Sequence, residues 1–183
     1  MSSKKEDKPL SRVDSMQELY HGRQFAFVVE QVTHPNGVQT EMGVVRHPGS
    51  TVIVPLFEDR KVGLIRQYRH AVSAYIYETP AGTMEPGEDP LVCAFRELEE
   101  ETGYVAGEMI SLGKTFLLPA YSDELTYVYL ARDLKKTAQD LDQDEIIEVH
   151  RLPLDRVMEM IASGDIIDAL SILSIYHVVR YLG

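Results

Sequence analysis

The sequence predicts a mixed α+β fold, and three observations carry that prediction. Short Val- and Ile-rich runs bounded by turn residues fill the chain before residue 90. One well-capped helix follows at 90–102, and more strand-like runs then lead into two closing helices. This order lacks the regular strand–helix alternation of a doubly wound parallel sheet. No Gly-x-Gly-x-x-Gly dinucleotide fingerprint and no Gly-x4-Gly-Lys-Ser/Thr phosphate loop occurs, so those cofactor readings fall away.

The opening "MSSKKEDKPLS" is polar and has no apolar run, so residues 1–17 are expected to be a flexible tail and not a secretory leader. Within 18–47, "RQFAFVVEQV" and "VQTEMGVVRH" flank "HPNGV". Asn36-Gly37 predicts a hairpin closed by a type I′ turn, which needs positive φ at both central residues. This hairpin is expected to form a small antiparallel sheet of its own, of the kind that completes itself by pairing across a dimer. "STVIVPLF" and "KVGLIRQYR" are strands separated by the turn-like "EDR", and "SAYIYETPAG" is a strand stopped by Pro80. Pro90 opens the helix and Gly103 stands at its left-handed stop. "MISLGKTFLL", "ELTYVYLARD" and "EIIEVHRLP" are three more strands, and helices are expected at about 154–162 and 166–181.

Composition bounds the function. A chain of 183 residues can bury one full core, and a net charge of -11 argues against nucleic acid, which needs clustered Lys and Arg. It leaves room for a small polyanion bridged by a metal ion, helped by the basic stretch "RKVGLIRQYRH". No run approaches the ~20 apolar residues of a membrane span. The single Cys93 can form no internal disulfide, which fits a reducing cytoplasm.

The acidity is concentrated in "GTMEPGEDPLVCAFRELEEETGY", from Gly82 to Tyr104, with seven acidic residues in 23 positions. At ~100° per residue, Leu91, Ala94, Phe95 and Leu98 fall on one helix face. Glu97, Glu100 and Glu101 fall on a neighbouring face, and Glu99 points away from both. Taken alone, such a run is most often a solvated face. Three carboxylates side by side at i, i+3 and i+4 also suit a hard divalent cation, since Mg²⁺ takes one or two carboxylates together with waters and substrate phosphates.

The spacing of fixed residues decides between these readings. Gly82, Glu88, Arg96, Glu97, Glu100, Glu101 and Gly103 stand at the defined positions of the Nudix box, which this stretch resembles throughout. Seven residues at ~6% each give a chance match on the order of 10⁻⁹ per start point. The resemblance implies a sandwich of helices about a mixed sheet, with residues 48–183 as the catalytic domain and 18–47 as strands that dimerise. It implies hydrolysis of a nucleoside diphosphate linked to another group, with Mg²⁺ or Mn²⁺. Glu97 and Glu101 are then metal ligands, joined by Glu100 and the Ala81 carbonyl. Glu88 and Arg96 hold the loop against the helix, and Gly82 and Gly103 serve backbone turns.

Beyond the box, "RQYR", "E-PAG", "SDE" and the closing "EIIEVHRLPLDRVMEMIASGDIIDALSILS" are similar to the ADP-ribose and nucleotide-sugar pyrophosphatase branch. The likeness implies a homodimer in which Arg69, and more weakly Arg46, reaches the phosphates, Glu124 faces the substrate, and Glu145 binds or deprotonates the attacking water. Asp142, Asp144 and Glu148 compete with Glu145 for that role. Aromatic residues that stack adenine in some members are replaced by Gln24 and Met42, leaving Tyr20, Phe25 and Phe27 as substitutes. ADP-ribose is the first substrate implied, with ADP-glucose or GDP-mannose as alternatives. A non-catalytic nucleotide sensor is the other class of function, although sensors usually carry a broken box.

Overall fold

The computed structural model describes residues 10–143 and 145–183. The chain divides into two compact units. One comprises residues up to His47 together with Leu118–Glu124; the other comprises Pro48–Leu117 and Leu125–Gly183.

In the first unit, β1 (Arg12–His21), β2 (Ala26–Thr33) and β3 (Gln39–Arg46) form an antiparallel sheet in chain order. A strand begins at Arg12, inside the stretch expected to be tail, and residues 1–9 of that stretch lie outside the described residues. All ten β1 residues are exposed, so the strand has no buried face to impose an alternating pattern, and nothing in its sequence announces it. The β2–β3 hairpin forms as expected but by another turn. Gly37 has φ 82° and Asn36 does not have positive φ, so no type I′ turn is made. Pro35 fixes φ near -65°, and the loop closes through Gly37 N–H to His34 O and His34 N–H to Val38 O, at 2.8 and 2.9 Å.

In the second unit, β4 (Ser50–Pro55) is buried at every residue, as expected of a strand covered on both faces. β5 (Lys61–Arg69) leads through a 3-10 turn at His70–Val72 to β6 (Ala74–Glu78). The strand expected to run on to Pro80 ends at Glu78, and β7 (Ala81–Thr83) pairs with β4 instead. Thr79-Pro80 thus crosses from one sheet to another, and the Pro80 carbonyl accepts from Ile53 N–H at 2.8 Å.

After β7 come α1 (Pro90–Thr102), β8 (Tyr104–Val105), β9 (Glu108–Phe116), β10 (Leu125–Arg132), β11 (Lys135–Lys136), β12 (Ile147–Pro153), α2 (Leu154–Ser163) and α3 (Ala169–Leu182). The main sheets run β7-β4-β10-β9, with β4 and β10 parallel, and β12-β5-β6, which is antiparallel. Alternate residues of β4 and β10 feed two cores. Val54 and Leu130 pack with Leu154, Val157, Ile175 and Val178 of α2 and α3. Ile53, Tyr129 and Ala131 pack with Ala94 and Leu98 of α1. This is the mixed-sheet sandwich the sequence predicts. α3 starts at Ala169 and not at 166, because Asp168 caps it by accepting from Ser171 N–H. No helix among the described residues is long and apolar enough to cross a membrane.

Candidate active site

The site is built on α1. Asp89 accepts from Leu91 N–H, Pro90 occupies the first turn, and Gly103 ends the helix at φ 67°, as its sequence predicts. The buried arc differs from the expected one. Leu91 and Phe95 are exposed, whereas Cys93, Ala94, Glu97, Leu98, Glu101 and Thr102 are buried. The helix is rotated so that two carboxylates, not two apolar groups, complete its inward face towards β7.

Glu101 is 3% exposed and accepts from the Ala81 N–H at 2.9 Å. Glu97 is buried beside it and accepts from Arg96 Nη1 at 2.7 Å. Glu100 is half-buried and accepts from the same nitrogen at 3.0 Å. Arg96 is held from its other edge by Glu88, whose two oxygens accept from Nε and Nη2 at 3.0 Å each. Glu88 also accepts from Glu85 N–H at 2.9 Å, so it braces the loop to the helix in the expected manner. Gly82 has a different role from the one expected. It lies in β7 and not in a turn, and a methyl group there would overlap all three atoms of the Glu97 carboxylate group. Glu99, which points away from both faces on the helical wheel, accepts from the Thr137 hydroxyl at 3.0 Å.

Electrostatics separate these acids. Glu88 is pulled down to about 2 by its hydrogen bonds from Arg96. Burial pushes Glu97 up to about 7; Arg96 opposes this, while Glu100 and Glu145 add to it. Burial and then Glu97 raise Glu101 well above the usual carboxylate range, against the Ala81 N–H. Burial lifts the Cys93 thiol to about 12, which makes it a packing group and not a nucleophile.

Two buried carboxylates that strain to ionise, one of them given room by a bare backbone, fit a hard divalent cation. Among the described residues no three acidic, imidazole or thiol groups converge as a ready cage, and Arg96 draws Glu97 and Glu100 towards itself. Mg²⁺ needs no such cage, since waters and substrate phosphates supply the remaining oxygens.

The other predicted residues are located as follows. Arg69 ends β5 and donates from Nε to both oxygens of buried Glu78, at 3.1 and 3.0 Å. No hydrogen bond engages its two Nη groups among the described residues, and its charge offsets the rise of Glu101. Glu145 precedes β12 and accepts from Asp142 N–H at 3.0 Å; its charge acts on both Glu97 and Glu101. Glu148 is exposed and faces Arg66 at 3.7 Å. Asp144 lies outside the described residues.

Arg46 and Glu124 belong to the first unit. Both Arg46 Nη groups are occupied, by buried Glu30 and by Asp123, so Arg46 ties a strand to the 118–124 segment. Glu124 is half-buried, and its N–H donates to Ser122 Oγ at 3.2 Å. Tyr20 and Phe25 form an exposed ring pair 5.6 Å apart, and Phe27 lies against Gly43. Gln24 and Met42 are exposed.

Sequence reasoning missed Glu78, although it had singled out "E-PAG", because nothing in a motif reveals which guanidinium a buried acid will orient. It also missed Gln139, which donates to the Glu101 carbonyl at 2.7 Å while Asp140 N–H donates to the Glu100 carbonyl at 3.1 Å. These bonds fasten the segment leading to Glu145 onto the end of α1.

A loop–helix–loop that presents buried, cation-seeking carboxylates beside a free guanidinium edge defines a site for an anionic substrate bridged by metal. The NUDIX domain matches residues 46–170, and the chain belongs to that family. It is 35% identical over 163 residues to the methanol dehydrogenase activator of Bacillus methanolicus and 32% identical over 163 residues to the ADP-ribose pyrophosphatase of Bacillus subtilis (strain 168). Each alignment covers 88% of both chains. The crystal structure of an ADP compounds hydrolase superposes with a TM-score of 0.82 over 95% of both chains at 23% identity, which shows a shared fold.

Proposed function

We propose that this chain is a divalent-metal-dependent pyrophosphohydrolase that cleaves ADP-ribose to AMP and ribose 5-phosphate. The observation that carries the proposal is the pair of buried carboxylates, Glu97 and Glu101, that α1 turns inward against β7, one facing the bare backbone of Gly82 and the other the Ala81 N–H. The likeness to a relative named ADP-ribose pyrophosphatase supports the choice of first substrate.

Glu97 and Glu101 would hold the metal ion, with Glu100 and the Ala81 carbonyl as further oxygen donors, and Mg²⁺ is the ion these hard ligands favour over softer ones. When bound, the ion neutralises charge on the phosphate oxygens and on the leaving group. Arg69, oriented from behind by Glu78, presents its two Nη groups to a phosphate. Glu145 takes the proton of a water whose oxygen bonds to phosphorus as the bridging P–O bond breaks. The bridging oxygen leaves on the second phosphate, and no covalent intermediate with the protein forms. Arg46 steadies the loop that carries Glu124 and does not serve as the principal phosphate clamp.

The intact acid set supports catalysis over ligand sensing. Exposed Val13, Met16, Leu19 and Tyr20 on β1 support a homodimer closed through that strand edge, and light scattering measures it. A cytoplasmic location belongs to the same reading. A panel of ADP-ribose, ADP-glucose and GDP-mannose, assayed for phosphate-containing products with and without Mg²⁺, tests the function. Metal-dependent release of AMP from ADP-ribose is expected. Tight binding of ADP-ribose with no product over hours would replace the enzyme reading with the sensor one.

A further inference from the structure

Thr79 and Pro80, between β6 and β7, are buried and leave the ladder of one sheet for that of another. Buried backbone groups that leave a ladder need other partners. The Pro80 carbonyl accepts from Ile53 N–H, and Pro80 has no N–H of its own. The Ala81 N–H goes to Glu101 on α1. The Thr79 N–H goes to α3, where it donates to Ser171 Oγ at 2.8 Å. Ser171 is 1% exposed, and its N–H and its hydroxyl both donate to Asp168 Oδ2, at 2.7 and 2.6 Å. With its hydrogen committed to a carboxylate, the Ser171 oxygen is left to accept from Thr79. Ser174, also buried on α3, meets Thr79 through the side chain, Oγ to Oγ1 at 3.2 Å.

We infer that Ser171 is a positioning residue for the phosphate-binding edge of Arg69. The inference rests on the assignment of Arg69 to the substrate phosphates made above. The peptide that carries the Thr79 N–H is planar, and its other end is the Cα of Glu78. Fixing that plane fixes the point from which the Glu78 side chain starts. β6 ends at Glu78, so the ladder holds this residue on one side, and Ser171 supplies the hold on the other. Glu78 in turn accepts from Arg69 Nε through both oxygens, at 3.1 and 3.0 Å, which leaves the Nη groups to a phosphate. The charge of Asp168 also acts on Glu78, so the cap of α3 and the orienting acid are close in space. Contacts therefore run from the first turn of α3 through the crossover to the guanidinium.

The test is a double-mutant cycle on affinity. Binding of α,β-methylene ADP-ribose is measured by calorimetry, with Mg²⁺, for wild type, Ser171→Ala, Arg69→Ala and the double variant. Arg69→Ala removes the clamp, so a residue that acts through it has nothing left to position. Ser171→Ala is expected to weaken the analogue about fivefold in the wild-type background and to have no effect in the Arg69→Ala background. Ser174→Ala removes a buried hydroxyl from the same cluster without touching the Thr79 N–H. It should lower the melting temperature and leave affinity unchanged. If Ser171→Ala does not fold, Ser171→Cys, which keeps the bulk and offers a weaker acceptor, takes its place in the cycle with the same pattern expected. No loss on changing Ser171, the same loss in both backgrounds, or an equal loss from Ser174→Ala would overturn the inference and leave the enzyme reading intact. Unchanged affinity in Arg69→Ala alone would overturn the phosphate role of Arg69 and the inference with it.

Discussion

Gly82 offers bare backbone to the Glu97 carboxylate, and a single methyl group would occupy its place. The atoms in the way are the far end of a side chain, which can swing aside at little cost to the fold. Gly82→Ala should therefore lower stability by less than ~1 kcal/mol while displacing a proposed metal ligand and reducing turnover by ~10² or more. Chemical denaturation and steady-state rates, measured on the same preparation, check the split. A large stability loss with normal rates would place the glycine in folding instead.

Glu97 and Glu101 are buried acids whose ionised form the metal-free fold disfavours. Glu97→Gln and Glu101→Gln each remove a charge without changing shape. Each should reduce turnover by several orders of magnitude, as expected when a metal ligand is lost, and each should raise the metal-free melting temperature. Wild-type turnover by either variant at saturating Mg²⁺ would remove that residue from the ligand set.

The legible part of this molecule is where periodicity or spacing records a constraint. β4 reads as a buried run because helices cover both its faces, and α1 reads from Asp89-Pro90 to Gly103 because caps are local chemistry. The box supplies the carboxylates by spacing alone. β1 is illegible because an edge strand exposed on both sides answers to no core. The rotation of α1 is illegible for another reason: a helical wheel assumes that apolar residues face inward, whereas here Glu97 and Glu101 do so and Phe95 does not. Glu78 acquires meaning only in the folded chain, where its carboxylate meets the Arg69 guanidinium.

The same burial gives a pH signature. Glu97 is raised from an ordinary value of 4.5 to about 7, so the unfolded chain releases its proton first as pH rises. The contribution of Glu97 to metal-free stability is then complete below pH 4.5 and falls between 4.5 and 7, by on the order of 3 kcal/mol. A bound cation favours the ionised form and opposes the fall. The gain in melting temperature on adding Mg²⁺ should accordingly grow across that window. A gain independent of pH would separate metal binding from Glu97.

Glu88 has the opposite sign. Its carboxyl is held at about 2 by Arg96, below an ordinary 4.5, so its contribution is complete above pH 4.5 and is lost as pH falls towards 2. Glu88→Ala should cost about 2 kcal/mol at neutral pH, because Arg96 loses two of its hydrogen bonds and the loop loses its brace. The variant should also lose less stability than wild type on acidification in that window. Equal acid sensitivity in both proteins would assign the brace no electrostatic share.

Glu145 sits on a segment fastened to α1 by Gln139 and Asp140, and its carboxylate is steadied by the Asp142 N–H. As the proposed base, it should be replaceable by Gln only at a cost of ~10²–10⁴ in kcat with KM little changed. Its charge also contributes to the elevation of Glu97, so Glu145→Gln should move the Glu97 titration downward from about 7, observable by NMR in metal-free protein. Asp142 serves Glu145 through its backbone N–H, so Asp142→Asn should retain turnover. Unchanged kcat in Glu145→Gln, together with a shifted Glu97 titration, would mean that Glu145 lies near the site but that another group takes the proton.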